Sequence, residues 1–141
     1  MDAKRGRCLC GQVTFEFTGS PLWCGHCHCD SCRRATASPF TTWIGVPRDA
    51  CRFTGVEPVV RQSSPGARRS FCRNCGSPIG FESERWPDET HLYAALLEHP
   101  EDAAPQFHVH VAEKLPWIVL ADGLPQHERS GSQGESRRSL P

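Results

Sequence analysis

Nine cysteines stand in a chain of 141 residues, and their spacing is the first sign of chemistry. The stretch CGHCHCDSC over 24–32 puts Cys24, Cys27, Cys29 and Cys32 around His26 and His28. Cys8 and Cys10 form C-x-C just before Gly11, Cys72 and Cys75 form C-x-x-C just before Gly76, and Cys51 stands alone. An odd count rules out a complete set of internal disulfides. MDAKRGRCLC has no apolar run behind its basic residues, so the expected compartment is the reducing cytoplasm, where clustered cysteines bind metal or react.

A structural zinc site takes four tetrahedral ligands, usually paired on two separate knuckles. Cys8 and Cys10 with Cys72 and Cys75 supply such a set. Cys27, Cys29 and Cys32 form C-x-C-x-x-C, three thiols able to wrap a second zinc from one tight loop. Three protein ligands leave a fourth position for a water or a substrate, the arrangement of catalytic zinc. Cys24, three residues before Cys27, is a candidate fourth ligand that would seal that position. The cofactor expectation is therefore zinc, two per chain.

Arg33 follows the second set directly and is a candidate to bind a substrate carboxylate, because a guanidinium fork matches that shape. Arg68 and Arg69 read as an exposed strand face. His28, between two ligands, is expected to point away from their metal, and His108 and His110 read as structural members of one strand face. Trp43 and Trp117 read as core or pocket-lining rings, and Cys51 as a small buried hydrophobe.

The elements that must position these groups read as mostly β. Val13, Phe15 and Phe17 alternate with polar residues, as do Phe107, Val109 and Val111. Further strands are expected over 39–46, 58–62, 68–72, 78–83, 91–97 and 117–120, with a helical turn over 29–36 and a second near 83–89. The length predicts one domain over 7–128, after a flexible lead-in over 1–6 and before a disordered Gly/Ser-rich tail over 129–141. Sixteen basic and 16 acidic residues cancel, so no overall field favours nucleic acid. No apolar run is long enough for a transmembrane helix.

Four motifs in register are similar to one known family. C-x-C-G (8–11), C-H-C-x-x-C-R-R (27–34), F-C-x-x-C-G-S-P (71–78) and H-V-H-V-x-x-K-x-P-W (108–117) resemble the glutathione-dependent formaldehyde-activating enzymes, a family that includes centromere protein V. ADGLPQHE (121–128) is similar to that family's usual ending. The resemblance implies an Mss4-like fold, several small coiled antiparallel β-sheets held by zinc with few short helices. It implies structural zinc on Cys8, Cys10, Cys72 and Cys75 and catalytic zinc on Cys27, Cys29 and Cys32. It also implies a carbon–sulfur lyase-type reaction on a thiol–aldehyde adduct, as when glutathione and formaldehyde give S-hydroxymethylglutathione. The implied partner is a small glutathione-like thiol, with no nucleic acid and no membrane. The alternative is a non-catalytic, zinc-stabilised protein-binding module. Two departures stand out: Cys24 is an extra thiol, and Ala37 stands where the family leads one to expect a glycine.

Overall fold

The computed structural model of the chain describes residues 2–129. The architecture is mainly β, as the sequence predicts, with its strands gathered in two sheets. Strands β1 (Lys4–Arg7) and β2 (Thr14–Phe17) pair antiparallel. After β3 (Trp23–Cys27), the helix α1 (Asp30–Thr36) and β4 (Thr41–Pro47), strand β5 (Cys51–Phe53) returns to β2 and completes a three-stranded sheet. The other strands are β6 (Val59–Ser64), β7 (Ala67–Phe71), β8 (Pro78–Ser83), β9 (Glu89–Tyr93) and β10 (His108–Val109). They join β3 and β4 in a seven-stranded sheet of order β10-β3-β4-β9-β8-β7-β6. Only the β10–β3 pair is parallel among these neighbours.

Period-two alternation sorts side chains between two cores on opposite faces of the large sheet. Phe15 and Phe17 meet Cys24, Ile44, Val46, Ile79 and Leu92 in the first, which lies under the small sheet. Trp43, Ala67, Phe81 and Tyr93 meet Cys27, Cys29 and Cys32 in the second. Ile79 and Phe81 belong to different cores although two positions separate them on β8. A register shift explains this: Ser70 pairs with Gly80 but Phe71 with Pro78, so Ile79 is an extra, bulged residue. Each fully buried phenylalanine contributes about 1.5–3 kcal/mol of hydrophobic stabilisation, so Phe15 and Phe17, almost wholly inaccessible, anchor the small sheet on the large one.

Several expectations need correction. The flexible lead-in over 1–6 does not hold for Lys4 to Gly6, which are paired in β1 with β2. The alternating strand from Phe107 to Val111 stops after Val109, because His110 takes a left-handed backbone (φ 58°) and Val111–Glu113 turns into a 3-10 helix. His108 and His110 therefore do not share a strand face. Residues 117–120 form no strand, and Trp117 and Val119 are exposed. The run 91–97 leaves the sheet after Tyr93 as a 3-10 turn (Ala94–Leu96). Near 83–89 the chain makes turns, closed by Trp86 N–H to Ser83 O and Glu89 N–H to Trp86 O, rather than a helix. Of the tail expected over 129–141, all but Arg129 lies outside the described residues.

Candidate metal centres

The first thiol group is built from two matching knuckles. Gly11 N–H donates to Cys8 O, and Gly76 N–H donates to Cys72 O. Both glycines have φ near +80° (82° and 77°), a left-handed conformation that disfavours any residue with a Cβ. Each turn aims its cysteines inward: Cys8 Sγ lies 3.6 Å from Cys10 Sγ, and Cys10 Sγ lies 3.7 Å from Cys72 Sγ. A tetrahedral zinc with bonds of about 2.3 Å spaces its sulfurs about 3.8 Å apart. The four sulfurs, with Cys75, all lie within 4.8 Å of one another. Amides stabilise them as thiolates, Val13 N–H to Cys8 Sγ and Cys75 N–H to Cys72 Sγ. Ser77 accepts from Leu9 N–H and donates its hydroxyl to Cys75 Sγ at 3.1 Å, which is the largest cause holding the Cys75 thiol down to about 5.

The second group sits where β3 runs into α1. Cys27 ends the strand, Cys29 caps the helix by accepting the Cys32 N–H at 3.1 Å, and Cys32 lies in the first turn. Cys32 Sγ is 3.6 Å from Cys27 Sγ, the three sulfurs fall within 4.8 Å of one another, and all three residues are buried. Three buried thiols converging at this spacing match a borderline metal that accepts sulfur. The donor sets of both groups therefore fit zinc.

The structure does not bring Cys24 to either group. It sits three positions before Cys27, an odd offset on a strand, so its side chain points to the opposite face of β3 and into the first core. Burial alone pushes its thiol up to about 11. Arg33 is drawn aside as well: its Nη2 donates to Asp30 Oδ1 at 3.3 Å, and the residue does not line the neighbouring cavity.

That cavity, about 540 Å³, opens beside the first turn of α1, between Asp30 and Arg34 on the helix and Arg61, Arg69, Ser70 and Tyr93 on the sheet. The exposed strand face expected for Arg69 does not hold, since Arg69 is half-buried and lines this cavity, and sequence reading missed Tyr93. The Arg69 guanidinium lies 5.0 Å above the Phe81 ring, its charge favours the Cys32 thiolate, and it hydrogen-bonds the Tyr93 hydroxyl. Burial raises the Tyr93 hydroxyl well above its ordinary range. The ring of Tyr93 stacks on Trp43 at 3.9 Å, which fixes the phenol against the thiol group. Register could have found Arg69 only through its cross-strand partner Phe81, whose place in the second core the β8 bulge hides.

His28 is fully buried and points away from the thiols. Its Nε2 shares a hydrogen bond with His108 Nδ1 at 2.9 Å, and Nδ1 is buried without a partner among the described residues. His108 Nε2 donates to Asp122 Oδ2 at 2.7 Å, which holds the Asp122 carboxyl below its usual range. Burial brings His28 down to about 4.

No helix among the described residues is long and apolar enough to cross a membrane. A chain of known structure from Rhodobacter sphaeroides superposes with TM-score 0.58 at 24% identity, over 67% of this chain and 88% of that one, which shows a shared fold. A Halomonas elongata protein provisionally named glutathione-dependent formaldehyde-activating enzyme is 26% identical over 125 residues, covering 82% of this chain and 79% of that protein. An uncharacterized lyase from Schizosaccharomyces pombe is 29% identical over 82 residues, 57% of this chain and 58% of the yeast protein. The profile of one family, described as glutathione-dependent formaldehyde-activating enzyme, matches residues 3–113. The chain belongs to the glutathione-dependent formaldehyde-activating enzyme family.

Proposed function

We propose that the protein is a zinc-dependent carbon–sulfur lyase-type enzyme that joins a small thiol to an aldehyde, or releases one from the other, with glutathione and formaldehyde as the pair. The observation that carries this reading is the buried Cys27, Cys29 and Cys32 group, which has no fourth thiol among the described residues and stands beside a cavity with arginines in its wall. Zinc held there supplies an electrophilic position that keeps a substrate sulfur deprotonated near neutral pH. Cys8, Cys10, Cys72 and Cys75 would hold the second, structural zinc. In the forward direction the thiol S–H bond breaks, a C–S bond forms to the aldehyde carbon, and the proton passes to the aldehyde oxygen.

The chain's own residues have distinct tasks in this reaction. Cys27, Cys29 and Cys32 hold the metal and, as three thiolates on a divalent ion, leave a net charge of about −1. Arg69 offsets that charge and, with Arg61 and Arg34, makes the cavity attractive to the carboxylates of a glutathione-like thiol. Tyr93, kept protonated by burial, holds the Arg69 guanidinium in place beside the sulfurs. Trp43 and Phe81 exclude water from the inner side.

Freshly purified protein should contain close to two zincs per chain, and Cys29→Ser should contain one. Exchange NMR with reduced glutathione and carbon-13 formaldehyde should then show faster formation and breakdown of the adduct with the native protein than with Cys29→Ser. If glutathione neither binds at millimolar concentration nor exchanges faster, the enzyme reading falls in favour of a zinc-stabilised binding module.

A further inference from the structure

A third ligand constellation contains no cysteine. We infer that His26, His108 and Asp122 form a thiol-free site, weaker than the thiol groups and emptied on purification, for a first-row divalent cation such as zinc, cobalt or nickel. One ring nitrogen from each histidine and one carboxylate oxygen of Asp122 lie within 4.8 Å of one another.

The topology makes this meeting. His108 on β10 is the direct parallel partner of His26 on β3, so both side chains leave the sheet on the same face. Their rings face each other with centroids 4.6 Å apart and planes 29° apart. On β3 this is the face opposite Cys27, so the site is separate from the second thiol group. Asp122 arrives from the segment after the last 3-10 turn, fixed by the Leu124 N–H on Oδ1, with Oδ2 on His108 Nε2.

What surrounds the rings fits ligation. A histidine that binds metal through one nitrogen needs a partner for the other, to fix its tautomer and orientation. His26 Nδ1 is held by Thr42 Oγ1 at 2.8 Å, and His108 Nδ1 by His28 Nε2 at 2.9 Å. That leaves His26 Nε2 for the ion, while His108 Nε2 would exchange its hydrogen bond to Asp122 Oδ2 for a shared metal. The Asp122–His108–His28 hydrogen bonds account for His108 and Asp122 without a metal, but they give His26, in register and ring to ring with His108, no part. Coordination gives all three a part. Two imidazoles and one carboxylate suit borderline first-row ions rather than magnesium or calcium, which take oxygen. Solvent can fill the remaining positions, since the Asp122 side chain is 40% exposed.

The test uses protein whose cysteine groups are loaded with zinc, titrated with cobalt(II) chloride under calorimetry and visible absorption. Cobalt binds less tightly than zinc and leaves the thiol sites alone. The native protein should take up one further cobalt per chain, with d–d absorption but no sulfur-to-cobalt charge transfer. Asp122→Asn keeps an acceptor for His108 yet removes the carboxylate, and should weaken that cobalt by roughly tenfold or more. His26→Gln should do the same, and if it fails to fold, the Asp122→Asn result decides alone. No uptake beyond that of Asp122→Asn, equal uptake by both proteins, or a charge-transfer band would each overturn the inference.

Discussion

Cys24 and Cys27 show how much one position of parity decides. Both are buried thiols on β3, yet one packs in the first core apart from the other thiols and the other joins the three-thiol group in the second. Replacing Cys24 by Ala should therefore lower stability by about 1 kcal/mol, from lost packing, while metal content stays at the native value. Denaturation and metal analysis of the same sample check both halves, and loss of metal would return Cys24 to the ligand set. The motif spacing told which cysteines can share an ion, because knuckle turns are local. It could not place Cys24, since facing is a property of the strand, and WCGHC does not read as one. His26, Asp122 and Arg69 were hidden for a related reason: their neighbours come from distant segments and no short motif joins them.

At the level of elements, the helix that presents Cys32 ends under strain. Its C-cap, Ala37, sits at φ 58° and ψ 26°, the left-handed region that costs an L residue about 1–2 kcal/mol. The glycine expected there has a physical basis, and Ala37→Gly should raise stability by about 1 kcal/mol after its greater unfolded-state freedom is counted. Unchanged or lower stability in urea would contradict this. The small sheet carries its own pH signature. Arg52 hydrogen-bonds Glu16 from β5 at 2.7 Å and Arg5 approaches from β1, which holds the Glu16 carboxyl below its ordinary 4.5. Between that lowered value and 4.5 the unfolded chain holds a proton that the folded chain does not, so acid favours unfolding. The melting temperature of Glu16→Gln should lie below that of the native protein at neutral pH, and the gap should close as the pH falls through this window. A gap that is constant with pH would mean the pairing contributes nothing. Strands with clean alternation, β2 above all, were legible in the sequence. Those that carry arginines and glycine (KRGR in β1), ligands (β3) or only three residues (β5) were not, because function and brevity erase the period.

For the whole molecule, the four-thiol group is a long-range tie. Cys10 and Cys72 are 62 positions apart, and their sulfurs meet at 3.7 Å. By analogy with a disulfide closing a loop of that length, metal there should contribute roughly 4 kcal/mol through the unfolded chain alone. Chelation under reducing conditions should lower unfolding stability by at least about that amount, and metal-free protein as stable in urea as the loaded form would refute it. The mainly β class and the two cysteine groups that could hold metal were readable from composition, punctuation and motifs. The division into two cores across one sheet was not, since it depends on which strands become neighbours.

The contrast in span between the two thiol groups also sets an order in time. Cys27 and Cys32 are five positions apart, so their group is complete on a nascent chain as soon as α1 leaves the ribosome. The other group cannot assemble until the segment carrying Cys72 and Cys75 has been made and brought back to Cys8 and Cys10. In a cell short of metal, the short-range three-thiol group is thus offered to an ion first, and the four-thiol group that spans the chain last.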